Sequence, residues 1–385
     1  MDITRSLNLP DLLHKKSFFL FGPRSTGKST LIRQQLPQAV KIDLLRSELL
    51  LRLTAAPYDL EGIIESKGRV LEAETVVIDE IQKIPALLDE VHRLIEERKW
   101  RFLLTGSSAR KLKATGVNLL AGRAWISHLF PLTSAELGSD FNLDKMLLHG
   151  GLPNVYLSAS PSEEISAYVT TYINEEIKQE GLVRKLPAFM SFLRLAASTN
   201  GQMLNFAKIS NDIGVSAATI HEYYRILEDT MIGAVVESWQ GSKKRKAITT
   251  AKFFFFDTGV CNQINEIKSI DRKSDLYGRS FEHWIFMELT AFLSYTRSAE
   301  KLRYWRSVNK QEVDFLCGET LAIEVKSTSK VNASDFSGLK ALREEAVFKN
   351  YVLVSHDLVE ALRDGVRCIH WKTFVQELWS GALTK

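Results

Sequence analysis

Short apolar runs alternate with longer amphipathic stretches over the first third of the chain. The runs occupy five segments: Ser17–Gly22, Ala39–Leu44, Thr75–Glu80, Arg101–Gly106 and Ala124–Leu132. Near-continuous apolar runs are typical of strands that are buried on both faces of a sheet. The helical stretches between them supply the crossovers that parallel strands need. The pattern therefore predicts an α/β domain with a parallel sheet.

A second block with a different pattern runs from residue 158 to residue 260. It begins mainly helical, with Pro161 and two acidic residues at a helix start. Further on, a helix, a turn at Gly214 and a second helix precede two strand-like runs, Met231–Trp239 and Lys252–Asp257. This order of elements predicts a helical region that ends in a winged helix.

The third block, residues 261–385, combines a long helix with several strands. The helix begins near Gly278, and strand-like runs follow at Leu302–Arg306, Val313–Cys317 and Leu321–Ser327. The predicted domains are therefore 1–157, 158–260 and 261–385, within the two to three domains that a chain of this length usually forms.

Composition places the chain of 385 residues, 45% apolar and 25% charged, among ordinary globular proteins. No apolar run approaches the roughly 18 residues of a membrane helix, and the first residues lack the apolar core of a signal peptide. Three scattered cysteines indicate neither a disulfide framework nor a metal knuckle. We therefore expect a soluble cytoplasmic protein without a membrane partner. The net charge of +4 permits a nucleic-acid partner without requiring one.

The strongest chemical signal is Gly22-Pro-Arg-Ser-Thr-Gly27-Lys28-Ser29, a complete G-x-x-x-x-G-K-S motif between an apolar run and a helical stretch. Its backbone N–H groups can wrap a phosphate chain, Lys28 adds a charge at the β- and γ-phosphates, and the Ser29 hydroxyl can coordinate Mg²⁺. ATP and Mg²⁺ are the predicted cofactors. The predicted nucleotide-binding residues of this loop are Gly22, Pro23, Arg24, Ser25, Thr26, Gly27, Lys28, Ser29 and Thr30.

Further candidates for this site follow two other apolar runs. Asp79 and Glu80 end one run, and we predict that Asp79 holds Mg²⁺ while Glu80 polarises the attacking water. The next run ends in hydroxyls, where Ser107 or Thr105 is a candidate sensor of the γ-phosphate, or part of a plain turn. Arg123 is either an arginine finger that stabilises the transferred phosphoryl group or a solvated side chain.

A second catalytic pattern lies in the third block, where Asp314 and Ala322-Ile-Glu324-Val-Lys326 form a D…E-x-K core. Residues two apart on a strand share a face, and pairing Asp314 with Glu324 leaves Gly318-Glu-Thr320 as a three-residue hairpin loop. Asp314 and Glu324 are predicted to hold Mg²⁺, with Mn²⁺ as an alternative, and Lys326 to orient water or stabilise the transition state. The pattern also occurs by chance in charged hairpins.

The helix that precedes this core is apolar on nearly every side, so its Glu282 is expected to be buried. A buried carboxylate needs a partner. The predicted metal site would supply one.

Two features of the second block bear on nucleic acid. The outward face of the second helix, Ser216–Leu227, is not strongly basic, so sequence-specific reading of the major groove has little support. The basic stretch between the two strand-like runs is either a wing tip that contacts phosphates or a solvated turn. The candidate DNA-binding residues are Lys243, Lys244, Arg245 and Lys246.

Six segments together resemble AAA+ superfamily ATPases of archaea and bacteria that carry a C-terminal restriction-endonuclease-like, PD-(D/E)xK-type domain of unknown function. The segments are Gly22–Ser29, Val77–Lys83, Leu104–Ser108, Leu120–Arg123, Pro131–Glu136 and Gly150–Pro153. The resemblance covers nearly the whole chain. It implies an additional-strand P-loop domain, a middle helical and winged-helix region, and a restriction-endonuclease-like α/β domain.

The resemblance also implies roles for particular residues. In that group a Gly-x-Pro turn approaches the nucleotide, which implies a binding role for Gly151 and Pro153, and a helix glutamate such as Glu282 completes the metal site. Ser107 departs from the asparagine that is common at the sensor, which puts the hydrolysis rate in question.

We therefore expect a Mg²⁺-dependent ATPase, in a homo-oligomer, whose nucleotide state controls a nuclease-like domain acting on DNA. A role in defence against foreign DNA rests on similarity alone. The alternative is a nucleotide-switched scaffold, in which an inactive nuclease-like domain binds DNA or a protein partner. Retention of Asp314, Glu324 and Lys326 favours the enzyme, and the unusual sensor favours slow switching.

Overall fold

A computed structural model describes residues 3–67, 75–106, 120–173 and 186–384. These residues form two compact units. The smaller unit holds residues 4–130 with the short segment 229–231, and the larger unit holds most of the chain beyond residue 130. The compact units do not divide at the predicted borders after residues 157 and 260.

The smaller unit is a parallel sheet with helices around it, as its sequence pattern predicts. Every strand pairing is parallel, and the spatial order is β2-β3-β4-β1-β5. The strands are β1 (Ser17–Phe21), β2 (Val40–Asp43), β3 (Thr75–Asp79), β4 (Arg101–Gly106) and β5 (Ala124–His128). The helices are α1 (Leu9–Lys15), α2 (Lys28–Gln35), α3 (Ser47–Ala55), α4 (Leu60–Lys67) and α5 (Leu87–Glu97).

Strand β4 lies between β1 and β3, so the predicted additional strand is present. Parallel strands end at the same edge of a sheet, where ligands of α/β proteins usually bind. The carboxyl ends of β1, β3 and β4 therefore bring the glycine-rich loop, Asp79 and Thr105 to one edge.

The larger unit is built on a mixed sheet in the order β12-β13-β11-β10-β9-β8-β6-β7. Its strands are β6 (Gly233–Ser238), β7 (Lys252–Phe255), β8 (Leu302–Arg306), β9 (Glu312–Cys317), β10 (Leu321–Val325), β11 (Asn350–Ser355), β12 (Ala361–Arg363) and β13 (Val366–His370). The hairpin β6–β7 corresponds to the predicted wing. It pairs with β8 through Glu237 and Ser238 and so extends the C-terminal sheet.

Helices pack around this sheet, and the predicted long helix is the central one. They are α6 (Ser134–Leu137), α7 (Leu143–His149), α8 (Pro153–Tyr156), α9 (Pro161–Ala167), α10 (Leu186–Ser198), α11 (Phe206–Ile213), α12 (Ala217–Asp229), α13 (Thr258–Ile264), α14 (Asp275–Tyr295), α15 (Ser337–Arg343) and α16 (Trp371–Trp379). Gly214, at φ +73°, ends α11 and confirms the predicted turn before α12. None of the described helices has both the length and the apolarity that crossing a bilayer requires.

A buried carboxylate fixes α14 against two neighbouring helices. Glu288, 2% exposed, accepts hydrogen bonds from the Ser134 N–H at 2.8 Å and its hydroxyl at 2.9 Å. The indole N–H groups of Trp284 and Trp379 also donate to it, at 3.0 and 2.7 Å. Burial raises the pKa of Glu288, and these donors oppose the rise by stabilising its charged form. Buried polar groups persist when they are satisfied in this way.

Two glycines allow α7 and α13 to approach closely. A Cβ atom on Gly150, at φ +76°, would lie 1.9 Å from an Asp257 carboxylate oxygen, and one on Gly259 would lie 2.0 Å from the His149 carbonyl oxygen. Asp257 is fully buried and accepts the Gly151 N–H at 2.7 Å. Burial raises the pKa of Asp257 to about 6. The hydrogen bond between Gly151 and Asp257 holds the end of α7 against the start of α13.

We expect Gly150→Ala to lower the free energy of unfolding of the larger unit by roughly 3 kcal/mol, because the new Cβ adds backbone strain and displaces a buried acceptor. Gly214→Ala is the matched control, since Gly214 has nearly the same φ but open space around its Cβ. Its expected cost is about 1 kcal/mol. Denaturant titrations followed by tryptophan fluorescence measure both values. Equal losses would contradict a role for the Asp257 contact.

Candidate ATP site and carboxylate–lysine site

The loop after β1 has the backbone geometry of a phosphate cradle. Ser25 and Gly27 are left-handed, with φ of +61° and +93°, and Gly27 caps α2 without a side-chain hydrogen bond. Gly22 has no room for a side chain, because a Cβ there would lie 2.5 Å from the Leu129 carbonyl oxygen. The backbone N–H groups at the start of α2 thus meet no side-chain cap and suit an anion.

The Lys28 ammonium bridges the loop from within. Its Nζ donates to the carbonyl oxygens of Gly22 at 2.6 Å and Pro23 at 3.0 Å. Arg5, 8% exposed, supports the loop from outside by donating to the Thr26 carbonyl at 2.7 Å. Sequence analysis missed Arg5, because it lies well before the motif and no spacing rule connects the two.

The acidic end of β3 is tied to β4. The buried Thr105 hydroxyl donates to the Asp79 carboxylate and accepts the Glu80 N–H at 3.3 Å. The Gln82 amide donates to the Glu80 carboxylate, a contact that sequence analysis did not anticipate. Thr105 therefore links the two strand ends. Ser107 lies outside the described residues, so its sensor role stays a prediction.

Arg123 lies at the opposite edge of the sheet from the glycine-rich loop. It directly precedes β5, whose first residue, Ala124, pairs with Ser17 at the start of β1. Its guanidinium forms an ion pair with Glu96 near the end of α5. The arginine-finger role stays a prediction.

Gly151 and Pro153 belong to the larger unit. The Gly151 N–H donates to Asp257, and its carbonyl accepts the Leu132 N–H at 2.7 Å. Pro153 is the first residue of α8, where a missing N–H costs nothing. These contacts account for both residues structurally. Their implied nucleotide-binding role stays a prediction.

Strands β9 and β10 form the predicted hairpin. The pairs Cys317–Leu321 and Phe315–Ile323 set a register in which Asp314 lies opposite Glu324. The three residues between the strands begin at Gly318, whose φ of +54° makes the turn. The register and loop length predicted from the sequence are confirmed.

The two carboxylates of this hairpin are buried, and that of Glu324 is incompletely satisfied. Asp314 and Glu324 are 8% and 6% exposed. Asp314 accepts the Val325 N–H at 2.8 Å, and Lys326 donates to Oε1 of Glu324. Oε2 of Glu324 is buried and has no hydrogen-bond partner in the part of the chain that the structure describes. Burial, reinforced by Asp314, raises the pKa of Glu324 well above its ordinary value. An unsatisfied buried acceptor of this kind calls for a donor or a cation.

A lysine that sequence analysis missed completes the cluster. Lys252, the first residue of β7, is 4% exposed, and its Nζ lies 2.7 Å from Glu312 Oε1 and 3.2 Å from Glu282 Oε1. Burial alone would lower the pKa of Lys252, but the carboxylates of Glu282, Asp314 and Glu312 raise it. Arg306 donates to the other oxygen of Glu312 at 2.6 Å. Buried charges need pairing of this kind.

The carboxylates fit a divalent cation in chemical type. Burial raises the pKa of Glu282 to about 7, and Lys252 opposes the rise. Glu282, Asp314 and Glu324 supply the oxygen ligands that Mg²⁺ prefers. Among the described residues, however, no three acidic, histidine or cysteine side chains lie close enough together to form a metal-ligand group. Lys252 and Lys326 provide the compensating charge in this arrangement.

The basic stretch of the β6–β7 connection is docked on the end of α15. Glu345 accepts the backbone N–H groups of Lys243 and Lys244, at 2.8 and 3.1 Å. Arg245 is half-buried and forms an ion pair with Glu344 at 2.8 Å. The lysine side chains are exposed and Arg245 is not. DNA contacts by this stretch stay a prediction. The ion pair with Glu344 gives Arg245 a structural role in holding the stretch in place.

Models of three families match successive parts of the chain. One described as an AAA domain matches residues 14–138. Two described as domains of unknown function, DUF8612 and DUF4143, match residues 140–271 and 277–374. The AAA domain match covers most of the smaller unit, and the parallel sheet of that unit is consistent with such a domain.

Two relatives with similar sequences are described as uncharacterized proteins. One from Mycobacterium tuberculosis is 26% identical over 337 residues, which are 84% of this chain and 73% of the relative. Another, from Haemophilus influenzae, is 23% identical over 379 residues, 91% of both chains. The similarity therefore extends well beyond the AAA domain.

Likeness to solved structures is weak. The Aeropyrum pernix Orc1 protein in complex with DNA aligns with a TM-score of 0.30 at 12% identity, over 65% of this chain and 86% of that one. A Pyrococcus horikoshii STAND protein with a tetratricopeptide repeat sensor aligns with a TM-score of 0.25 at 12% identity, over 78% of this chain and 48% of that one. Scores this low support no conclusion. The family match, the parallel sheet and the glycine-rich loop together make residues 14–138 an AAA-type P-loop domain that binds and hydrolyses ATP.

Proposed function

We propose that the chain is a Mg²⁺-dependent ATPase whose nucleotide state controls DNA cleavage at the carboxylate–lysine site of the larger unit. The observation that carries the proposal is that Asp314, Glu324 and Lys326 lie together on the β9–β10 hairpin, where one buried oxygen of Glu324 has no partner among the described residues. The setting is cytoplasmic, the working form is a homo-oligomer, and defence against foreign DNA is the suggested biological role.

The order of elements around the site supports a restriction-endonuclease-like fold. Helix α14, which carries Glu282, precedes the antiparallel strands β8, β9 and β10. After α15, strand β11 returns parallel to β10. The acidic residues therefore lie on a helix and on two adjacent strands that the mixed sheet holds rigidly.

In the ATP site, water attacks the γ-phosphorus and the bond to the β–γ bridging oxygen breaks. Bound Mg²⁺, held through Ser29 and Asp79, would neutralise charge on the phosphates. Lys28 exchanges its carbonyl partners for phosphate oxygens, and Glu80 orients the water and accepts its proton. Gln82 and Thr105 fix the two carboxylates in position beforehand.

In the carboxylate–lysine site, water attacks a backbone phosphorus and the ester bond between phosphorus and the leaving oxygen breaks. The water gives up a proton to solvent, and the leaving oxygen takes one up from solvent. A Mg²⁺ or Mn²⁺ ion between Asp314 and the unpartnered oxygen of Glu324 would supply Lewis-acid stabilisation, and Glu282 would join as a ligand only by leaving its ion pair with Lys252. Lys326, already beside Glu324, orients the water and stabilises the negative charge that develops on the phosphate.

An assay of the full chain on closed-circular and linear DNA tests this function. It compares Mg²⁺ with Mn²⁺, and ATP with ADP and with no nucleotide. We expect cleavage that requires the metal and differs between nucleotide states. Absence of cleavage of DNA or RNA under every condition would reject the nuclease.

A nucleotide-switched scaffold is the second candidate. Lys252 neutralises Glu282 and Glu312 without a metal, and the described residues contain no ready three-ligand group. Both observations favour a domain that retains the fold and binds DNA or a protein partner without cutting. Tight DNA binding without cleavage would support this candidate.

Lys28→Ala should abolish tight ATP binding, whereas Glu80→Gln should retain binding and reduce turnover by about a hundredfold or more. The first change removes the charge at the phosphates, and the second removes the proton acceptor. Nucleotide binding and phosphate release measure the two effects separately. Lys83→Ala, an exposed lysine beyond the acidic strand, is the control. Unchanged hydrolysis in both site variants would refute the assignment.

Lys326→Met should fold and bind DNA but cleave at least about a hundredfold more slowly at saturating DNA, because the variant lacks an electrostatic stabiliser. Lys330→Met, which removes an exposed lysine nearby, should cleave normally. Single-turnover rates provide the measurement. If Lys326→Met weakens binding but cleaves at the wild-type rate once saturated, Lys326 only contacts phosphate.

Replacing Lys243, Lys244 and Lys246 by glutamine should weaken DNA binding on every sequence and flatten its salt dependence. The log–log slope should change by about 0.9 for each phosphate that a lysine no longer neutralises. Arg245 is retained, because it anchors the loop to Glu344. Fluorescence anisotropy at several salt concentrations provides the slope. A wild-type slope would dismiss the proposed phosphate contacts of these lysines.

A further inference from the structure

Two cavities of the larger unit meet at the first turns of α14. One has a volume of about 710 Å³ and is lined by the start of this helix and by the segment that follows β10. The other has a volume of about 340 Å³ and is lined by Lys252, Glu312 and Asp314 among others. Arg279 and Glu282 line both cavities. The carboxylate–lysine site therefore has open space on both sides of α14.

The larger cavity has the chemistry of an anion site. Its charged lining residues are the cations Arg272, Lys273, Arg279 and Lys326 and the acids Asp275 and Glu282. Four serine and threonine residues also line it, which are Ser274, Ser327, Thr328 and Ser329. Excess positive charge beside hydroxyl donors is the usual environment of nucleic-acid phosphates.

Most cations of the two cavities already have acidic partners. Lys252 and Arg306 pair with Glu312, and Lys326 pairs with Glu324. Arg272 makes two hydrogen bonds to Asp144. These side chains are not free to bind a ligand without breaking an ion pair.

Arg279 differs from these cations. Its side chain is exposed and, within the described part of the chain, has no ion pair or side-chain hydrogen bond. It also lies three residues before Glu282, and side chains at this spacing lie on the same side of a helix. Arg279 thus lines the two cavities beside the carboxylates, and a third of about 220 Å³, without an ion pair or side-chain hydrogen bond to another described residue.

We propose that Arg279 is a positioning residue that binds a nucleic-acid phosphate adjacent to the one at the carboxylate–lysine site. The inference rests on the proposed function and adds the path of the bound strand, which passes α14 from one cavity to the other. A guanidinium presents its N–H donors in a planar fork that matches two phosphate oxygens, which an ammonium does not. Arg279 acts through the placement of the strand and touches no reacting atom.

The test measures binding of a fluorescent DNA duplex and of its single strand to the full chain in Ca²⁺ buffer, with gels to verify that the DNA stays intact. Arg279→Gln should raise Kd about tenfold, the usual value of a charge-assisted hydrogen bond, and lower the salt slope by about 0.9. Arg279→Lys should keep the slope and reduce the affinity only in part, because it keeps the charge without the fork.

Arg194→Gln is the matched control, since it removes the same charge from an exposed side chain that lines neither cavity. Its Kd should stay within about twofold of wild type. Equal weakening by both changes would show that only net charge matters and would overturn the inference. Titration with inorganic phosphate should compete only weakly, and full displacement by low millimolar phosphate would indicate a single-anion site instead.

The outcomes separate this inference from the nuclease proposal. If wild type binds DNA without cutting it and Arg279→Gln weakens binding as expected, the nuclease fails and Arg279 stands. If wild type cleaves and Arg279→Gln has the wild-type Kd and KM, only Arg279 fails. Wild type that binds no nucleic acid overturns both.

Discussion

Carboxylates that are partly withdrawn from water need compensating charge, and in the larger unit Lys252 provides it for Glu282 and Glu312. Moving an ionised carboxylate out of water costs several kcal/mol unless a partner is present. Glu282 and Glu312 share this one ammonium, although they come from a helix and a strand that the sequence separates by a long segment. Because Lys252 belongs to β7, satisfying the carboxylates requires the β6–β7 hairpin to join the C-terminal sheet. The middle region and the C-terminal strands consequently form one compact unit.

The two sites place their acidic residues in different environments. Asp79 and Glu80 are only half-buried at the edge of a parallel sheet, where Thr105 and Gln82 orient them through hydrogen bonds. Asp314 and Glu324 are buried within a mixed sheet, and burial raises the pKa of Glu324. A half-buried pair at a sheet edge suits a ligand that brings its own metal, whereas a buried group must be satisfied by the protein or by a bound cation. The lysines of the larger unit meet this need.

The contacts that hold α14 in the core of the larger unit also position the residues that α14 contributes to the carboxylate–lysine site. Glu288 receives four hydrogen bonds from three other residues and fixes the middle of the helix. Glu282 lies about one and a half turns of helix before Glu288, and Arg279 lies about two and a half turns before it. The positions of both residues therefore depend on the same anchor. A site held by a helix and two paired strands keeps its geometry better than one carried by loops. This support is common to the nuclease and to the scaffold.

Short-range rules determined much of this protein from sequence alone. The glycine-rich loop and the hairpin register that sets Asp314 opposite Glu324 follow from turn geometry and from the two-residue period of strands, and the five parallel strands follow from continuous apolar runs. All of these signals act over a few residues. Tertiary structure decided the partners. Lys252 beside Glu282, Arg5 beneath the phosphate loop, Gly151 bound to Asp257 and Arg123 at the far edge of its sheet all depend on segments that meet only after folding. A charge or a free N–H in a sequence has many possible partners, and only packing selects one.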